Sequence, residues 1–193
     1  MLAELAPCWS RLPPEATLLD VGTGAGDIPA RAARAAARRG VTLAAIGLEA
    51  TAELAMASRG QCPIAVCADA RYLPFRDHSV DVVLCSQVLH HFFDAEVRRV
   101  LTELDRVARL RVIVSDLRRS RIAAFGIWLA SFVLGFHPVS RHDGVVSVMR
   151  GFRARELREL VVATLGRTAQ VRHRLGYRIT ASWTPETAPA PNT

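Results

Sequence analysis

The chain contains no lysine. A P-loop for nucleoside triphosphates closes on Gly-Lys-Ser/Thr, so that chemistry is excluded. All 25 basic residues are arginine, which, with the abundant alanine, reads as the coding bias of a GC-rich genome rather than as function. No tight basic run is present either. Arg31, Arg34 and Arg38 fall at helix-surface spacing, so the net charge of +7 reads as solvated helix faces and disfavours nucleic acid as a partner. Cysteine is scarce. Cys8, Cys62, Cys67 and Cys85 show no CxxC spacing, which argues against a metal site and a disulfide framework and for a reducing cytoplasm. Cys67 and Cys85 read as packed thiols of core strands. The uncharged run Ile122–Phe136 is only 15 residues long, short of the roughly 20 that span a bilayer. Met1–Trp9 lacks the basic start and long apolar core of a signal peptide, and no internal repeat is visible.

What is present suits one folded domain, expected over residues 1–184, with a Pro-, Ala- and Thr-rich tail, 185–193, expected to be disordered. The most informative segment is Leu18-Leu19-Asp20-Val21-Gly22-Thr23-Gly24-Ala25-Gly26-Asp27. Its apolar start reads as a buried parallel strand. Gly22, Gly24 and Gly26 permit a sharp turn that brings bare backbone N–H groups against a ligand, and Pro29–Arg39 reads as the helix that follows. Further strands are expected at Leu43–Leu48, ending at Glu49, at Ile64–Ala68, ending at Asp69, and at Leu110–Leu117. Helices are expected at Thr51–Ser58, Asp94–Arg109 and Ala154–Leu165. Thr168–His173 and Tyr177–Trp183 complete the strands. A dinucleotide site wants Gly-x-Gly-x-x-Gly; here the third glycine comes one residue early, and Asp27 would face a pyrophosphate.

Asp20-x-Gly22-x-Gly24-x-Gly26 instead resembles motif I of the class I S-adenosylmethionine-dependent methyltransferases. Glu49, the stretch Ala68-Asp69-Ala70-Arg71-Tyr72-Leu73-Pro74-Phe75, and Ser79–Phe92 with its Val88-Leu89-His90-His91 follow in that family's order and spacing, so the resemblance covers residues 17–116. It implies a Rossmann-like, doubly wound, seven-stranded and mostly parallel α/β sheet with helices on both faces. The cofactor implied is S-adenosylmethionine. Asp20, Gly22, Thr23, Gly24 and Gly26 would cradle its amino-acid part, with backbone near Cys85. Glu49 would accept from the ribose hydroxyls, and Asp69 and the Ala70 N–H would hold the adenine.

The region between the fifth strand and Ala154 is expected to be an apolar helical lid, residues 118–152. It could equally be a buried helix or a homodimer contact; Arg118, Arg119 and Arg121 also admit a membrane-surface reading, without stable insertion. An acceptor that must lose a proton needs a base. The candidates are His142, on what reads as a loop beside Arg141 and Asp143, and His90, with His91, His137 and Arg141 as substrate-lining residues. No Asn/Asp-Pro-Pro-Tyr/Phe follows the fourth strand, and Cys85 lacks a neighbouring proline, which disfavours base methylation. The pattern resembles the branch of ubiquinone and menaquinone C-methyltransferases, implying a small hydrophobic or aromatic acceptor. Only 17 residues precede Leu18, where the family carries covering helices, so covering would fall to the insert, a partner subunit or an upstream start. The alternative reading is a cofactor-binding, non-catalytic partner subunit, and after it a nucleic-acid or protein methyltransferase.

Overall fold

The computed structural model describes residues 2–133, 135 and 137–186. A short helix α1 (Leu2–Leu5) and a 3-10 turn (Ala6–Arg11) lead into β1 (Glu15–Val21), α2 (Asp27–Ala37), β2 (Thr42–Glu49), α3 (Ala52–Ser58), β3 (Ile64–Cys67) and β4 (Val80–Ser86). A second 3-10 turn (Leu89–His91) precedes α4 (Asp94–Val107) and β5 (Ala108–Leu117). Then come α5 (Arg121–Val133), α6 (Pro138–Arg150), α7 (Ala154–Leu165), β6 (Gln170–Arg174) and β7 (Arg178–Trp183). The seven strands form one sheet in the order β3-β2-β1-β4-β5-β7-β6. Pairing is parallel except that β7 runs antiparallel to β5 and β6. The order reverses between β1 and β4, the switch point where a doubly wound sheet opens a crevice beyond its carboxyl ends.

Alternation along the strands builds two cores. Leu18, Val82, Leu84 and Ile113 face Leu5 and the Ala32 side of α2. Leu19, Val21, Val83, Cys85, Val112 and Val114 face α4 and α7. Helix α4 answers with a single apolar stripe, Val97, Val100, Leu101, Leu104 and Val107, spaced three and four apart. At the opposite end of the sheet from the crevice, Asp81 ties β1, β4 and β5. Its carboxylate accepts from the Thr17 N–H at 2.9 Å, the Thr17 hydroxyl at 3.0 Å and Arg109 at 3.0 Å.

Two expectations need correction. Cys67, at the end of the edge strand β3, is exposed rather than packed, because β3 pairs only with β2. The segment around His142 is not a loop but α6, whose start His137 caps by accepting the Val139 N–H at 3.4 Å. Gly144 lies inside this helix, where a Cβ would come within 3.2 Å of Ile127 Cγ2; close packing of α5 on α6 outweighs the poor helix propensity of glycine. Of the tail expected over 185–193, Pro185 and Glu186 are among the described residues. Pro185 is buried and Glu186 accepts from Arg167 at 2.6 Å, while residues 187–193 lie outside the described residues. Among the described residues no helix is long and apolar enough to cross a membrane.

Candidate active site

The glycine loop leaves β1 at Gly22, which has φ +71° and donates its N–H to the Leu48 carbonyl at 2.8 Å. A side chain here would be doubly penalised, by the left-handed backbone and by collision of its Cβ with Val88 Cγ2. The loop is thereby pressed between the ends of β2 and β4. Gly24 follows at φ +57° with open space around its missing Cβ, and its N–H donates to the Glu49 carboxylate. Gly26, also left-handed, is the N-cap of α2.

Beneath the loop lies Asp20, fully buried. Its Oδ2 accepts from the Thr23 hydroxyl at 3.0 Å, whereas its Oδ1 has no partner. Burial pushes this carboxyl up to about 7; the Thr23 hydrogen bond opposes the rise, and Asp27 and Glu49 add to it. A buried acceptor without a donor is costly, and here it sits at the loop that lines the crevice.

A cavity of about 450 Å³ opens beside the loop. Val21, Gly22, Leu48, Glu49 and Ala50 form one wall and Ala68, Asp69, Ala70 and Arg71 another; Gln87, Val88, His91 and Phe92 close it. Glu49 is buried and Asp69 half-exposed at the tips of β2 and β3. The Asp69 carboxylate is gripped by Arg71, whose Nε lies 3.0 Å from both oxygens and whose Nη2 lies 2.7 Å from one. This guanidinium, with the Arg71 N–H, holds Asp69 below the usual carboxylate range. Arg71 also reaches Glu96 and lies over the Phe92 ring. Cys85, by contrast, is entirely buried in the core, where burial pushes its thiol well up. The wall at the end of β4 belongs to Gln87, a non-glycine residue at φ +59°, whose N–H donates to the Ser115 carbonyl at 2.7 Å.

Of the histidines, His91 is on the cavity wall and His90 lies behind it, buried. His90 Nδ1 is 2.7 Å from the Asp116 carboxylate at the end of β5. The two imidazoles pack at 4.1 Å between centroids. Burial first, then the neighbouring His90, pushes the His91 imidazole below its ordinary value, so it favours the neutral form. Helix α6 packs on this Leu89–His91 turn and on β5. His142 is exposed on α6, His137 stands at its start, and the Arg141 side chain lies outside the described residues.

Two further cavities flank the β6–β7 hairpin. A polar one of about 880 Å³ shares Gln87 with the first and is lined by Asp27, Arg31, Ser86, Ser115, Arg174 and Arg178 among others. An apolar one of about 400 Å³ lies under the insert, between Leu117, Ile122, Ile127, Val148 and Tyr177. Insert residues thus wall this third cavity and neither of the other two. Sequence reasoning passed over Arg71, Gln87 and Asp116 as site residues. Arg71 and Asp116 stood in quoted or strand-end positions, but their partners are 25 and 26 residues away; for Gln87 no local signal betrays a positive φ.

Residues 19–114 match the family model of a methyltransferase domain. No curated protein matches the chain significantly in sequence. Among solved structures it is similar to a SAM-dependent methyltransferase from Aquifex aeolicus (15% identity, 96% of this chain and 89% of that one, TM-score 0.67). It is also similar to magnesium protoporphyrin IX methyltransferase from Synechocystis PCC 6803 with bound SAH (16% identity, 96% and 80%, TM-score 0.65). A third likeness is to a structure described for the conversion of a disulfide bond into a thioacetal group during echinomycin biosynthesis (17% identity, 98% and 82%, TM-score 0.69). With its glycine loop, its acidic strand tips and its strand order in place, the chain has the fold of the class I S-adenosylmethionine-dependent methyltransferases, and its residues 19–114 match a methyltransferase domain.

Proposed function

We propose that this chain is an enzyme that transfers a methyl group from S-adenosylmethionine to a small acceptor with a hydrophobic or aromatic part, in the cytoplasm. The observation that carries the reading is the buried, unpartnered Oδ1 of Asp20 under the glycine loop. The groups around it match the ligand in kind. The cofactor brings an ammonium, a sulfonium, ribose hydroxyls and an adenine amino group, all cations or donors. The crevice offers the carboxylates Glu49 and Asp69, and Asp20 lies buried beneath the glycine loop at its edge. Asp20 and the loop Gly22, Thr23, Gly24 and Gly26 would hold the amino-acid end, with the carboxyl end of β4 near Cys85. Glu49 would hold the ribose, and Asp69 and Ala70 the adenine. When bound, the cofactor supplies an electrophilic methyl group.

The chain's contribution is placement and exclusion of water. Glu49 must exchange the Gly24 N–H, and Asp69 part of its Arg71 contact, for cofactor donors; both partners are rim groups that water can satisfy. Where the acceptor must lose a proton, a neutral imidazole at the wall suits the task. His91 holds that position, and His90, fixed by Asp116, is proposed to set its orientation and proton affinity. His142, His137 and Arg141, at the start of the helix packed on this turn, are proposed to meet the acceptor, with His142 as the second candidate base. The apolar cavity under α5 and α6 supports an apolar acceptor body. Incubation with methyl-labelled S-adenosylmethionine and a panel of phenols, quinones and aromatic acids tests the reading. Label in a small molecule is the expected result; label in protein or nucleic acid alone overturns the acceptor class.

A further inference from the structure

The polar cavity beside Gln87 has a charge pattern that the cofactor crevice does not. Its walls come from the start of α2 (Asp27, Ile28, Arg31), the carboxyl ends of β4 and β5 (Ser86, Gln87, Ser115) and the β6–β7 hairpin (His173 to Leu175, Arg178). Three guanidinium groups face it. Arg174 is matched by the buried Glu4. Arg31 has no ion pair or hydrogen bond among the described residues, although Asp27 lies one turn before it. Arg178 is held by a neutral group: the Gln87 amide, turned with its oxygen toward the guanidinium, accepts at 3.1 and 3.3 Å. Two arginine charges therefore face one wall carboxylate, Asp27, across a cavity that also presents the Ser86 and Ser115 hydroxyls. His173 adds no negative charge, and its Nδ1 faces Arg118 at 3.4 Å.

Two guanidinium groups without an ion pair of their own among the described residues, facing a single carboxylate in a concave site, leave an excess of positive charge that fits a planar oxyanion, which arginine binds through paired N–H donors. Gln87 links this cavity to the cofactor crevice, because it lines both. We propose that this cavity takes the acidic end of the acceptor and that Arg31 and Arg178 bind its anionic group, a carboxylate or a phosphate. This deepens the methyltransferase reading and rests on it. The acceptor then has two parts, an acid held on the arginine side of the β6–β7 hairpin and a body reaching the methyl donor past Gln87. The fixed Arg178–Gln87 contact links the bound acid to the residue standing between the cavities.

An oxyanion could also belong to the cofactor itself, through its own carboxylate, and the experiment separates the two sources. The wild-type protein, saturated with S-adenosylhomocysteine, is titrated with 4-hydroxybenzoate, with its uncharged analogue 4-hydroxybenzamide, and with inorganic phosphate. The same titrations follow for Arg31→Gln, an exposed helix position that leaves the fold intact, and for Arg178→Gln. The expected result is binding of at least one anion to the S-adenosylhomocysteine complex and at least tenfold weaker binding of the amide than of the benzoate. Each variant should lose at least fivefold in anion affinity while S-adenosylhomocysteine affinity stays within about twofold. The proposal is overturned if none of the anions binds the complex, if benzoate and amide bind equally, or if the variants lose S-adenosylhomocysteine instead, which would assign the arginines to the cofactor's carboxylate. Absence of S-adenosylhomocysteine binding by the wild-type protein is a separate outcome. It removes the methyltransferase reading, and the anion site with it as an acceptor site.

Discussion

Asp20 carries the clearest electrostatic signature of the molecule. Its carboxyl sits at about 7 in the folded chain, above its ordinary range, so it contributes stability that is fully present at low pH and lost as pH rises through about 7. A bound ammonium favours the ionised form. Cofactor binding should therefore release a proton near neutrality, and affinity should climb from about pH 6 to about pH 7.5. Calorimetry of S-adenosylhomocysteine binding in buffers of different ionisation enthalpy reads that proton, and Asp20→Asn should flatten the dependence. Gly22 supports a second expectation. Gly22→Ala combines left-handed strain with a collision at Val88, and denaturant unfolding should show a loss of more than about 2 kcal/mol. The acids at the strand tips were legible in the sequence, because a parallel sheet places the last residue of each apolar run at one edge. The Arg71 contact with Glu96 and the Asp116 partner of His90 were not, because each joins side chains 25 or 26 residues apart that the fold brings together.

At the scale of elements, the His90–Asp116 contact joins the turn after β4 to the end of β5. His90→Ala removes the imidazole and leaves the buried Asp116 carboxylate only the backbone N–H groups of residue 90 and Leu117, so chemical denaturation should show a loss of about 1–3 kcal/mol. The insert is a pair of helices because α5 and α6 pack closely through Gly144 and Ile127. Pattern alone could not show this: α5 is apolar nearly all round, and Gly144 interrupts the helical signal of α6. Gly126, on α5, has open space where a Cβ would stand. Gly126→Ala should raise stability by about 0.5–1 kcal/mol, read as a higher denaturation midpoint.

For the whole molecule, the strand order was legible because glycine loop, acidic tips and apolar runs alternate in one register along the chain. Its surface was less so. Ile122, Phe125 and Leu129 stand exposed along α5, and such a stripe suits the homodimer contact that is one of the readings the sequence admits for the insert. Sedimentation should then show a dimer that the double substitution Phe125→Glu and Leu129→Glu converts to a monomer. The central claim, a crevice built for S-adenosylmethionine, is tested most directly by calorimetric titration of the purified chain with S-adenosylmethionine and S-adenosylhomocysteine, repeated for Glu49→Ala and Asp69→Ala. The account predicts micromolar binding that weakens by about 1–3 kcal/mol in each variant. A well-folded wild-type chain that binds neither compound would contradict it.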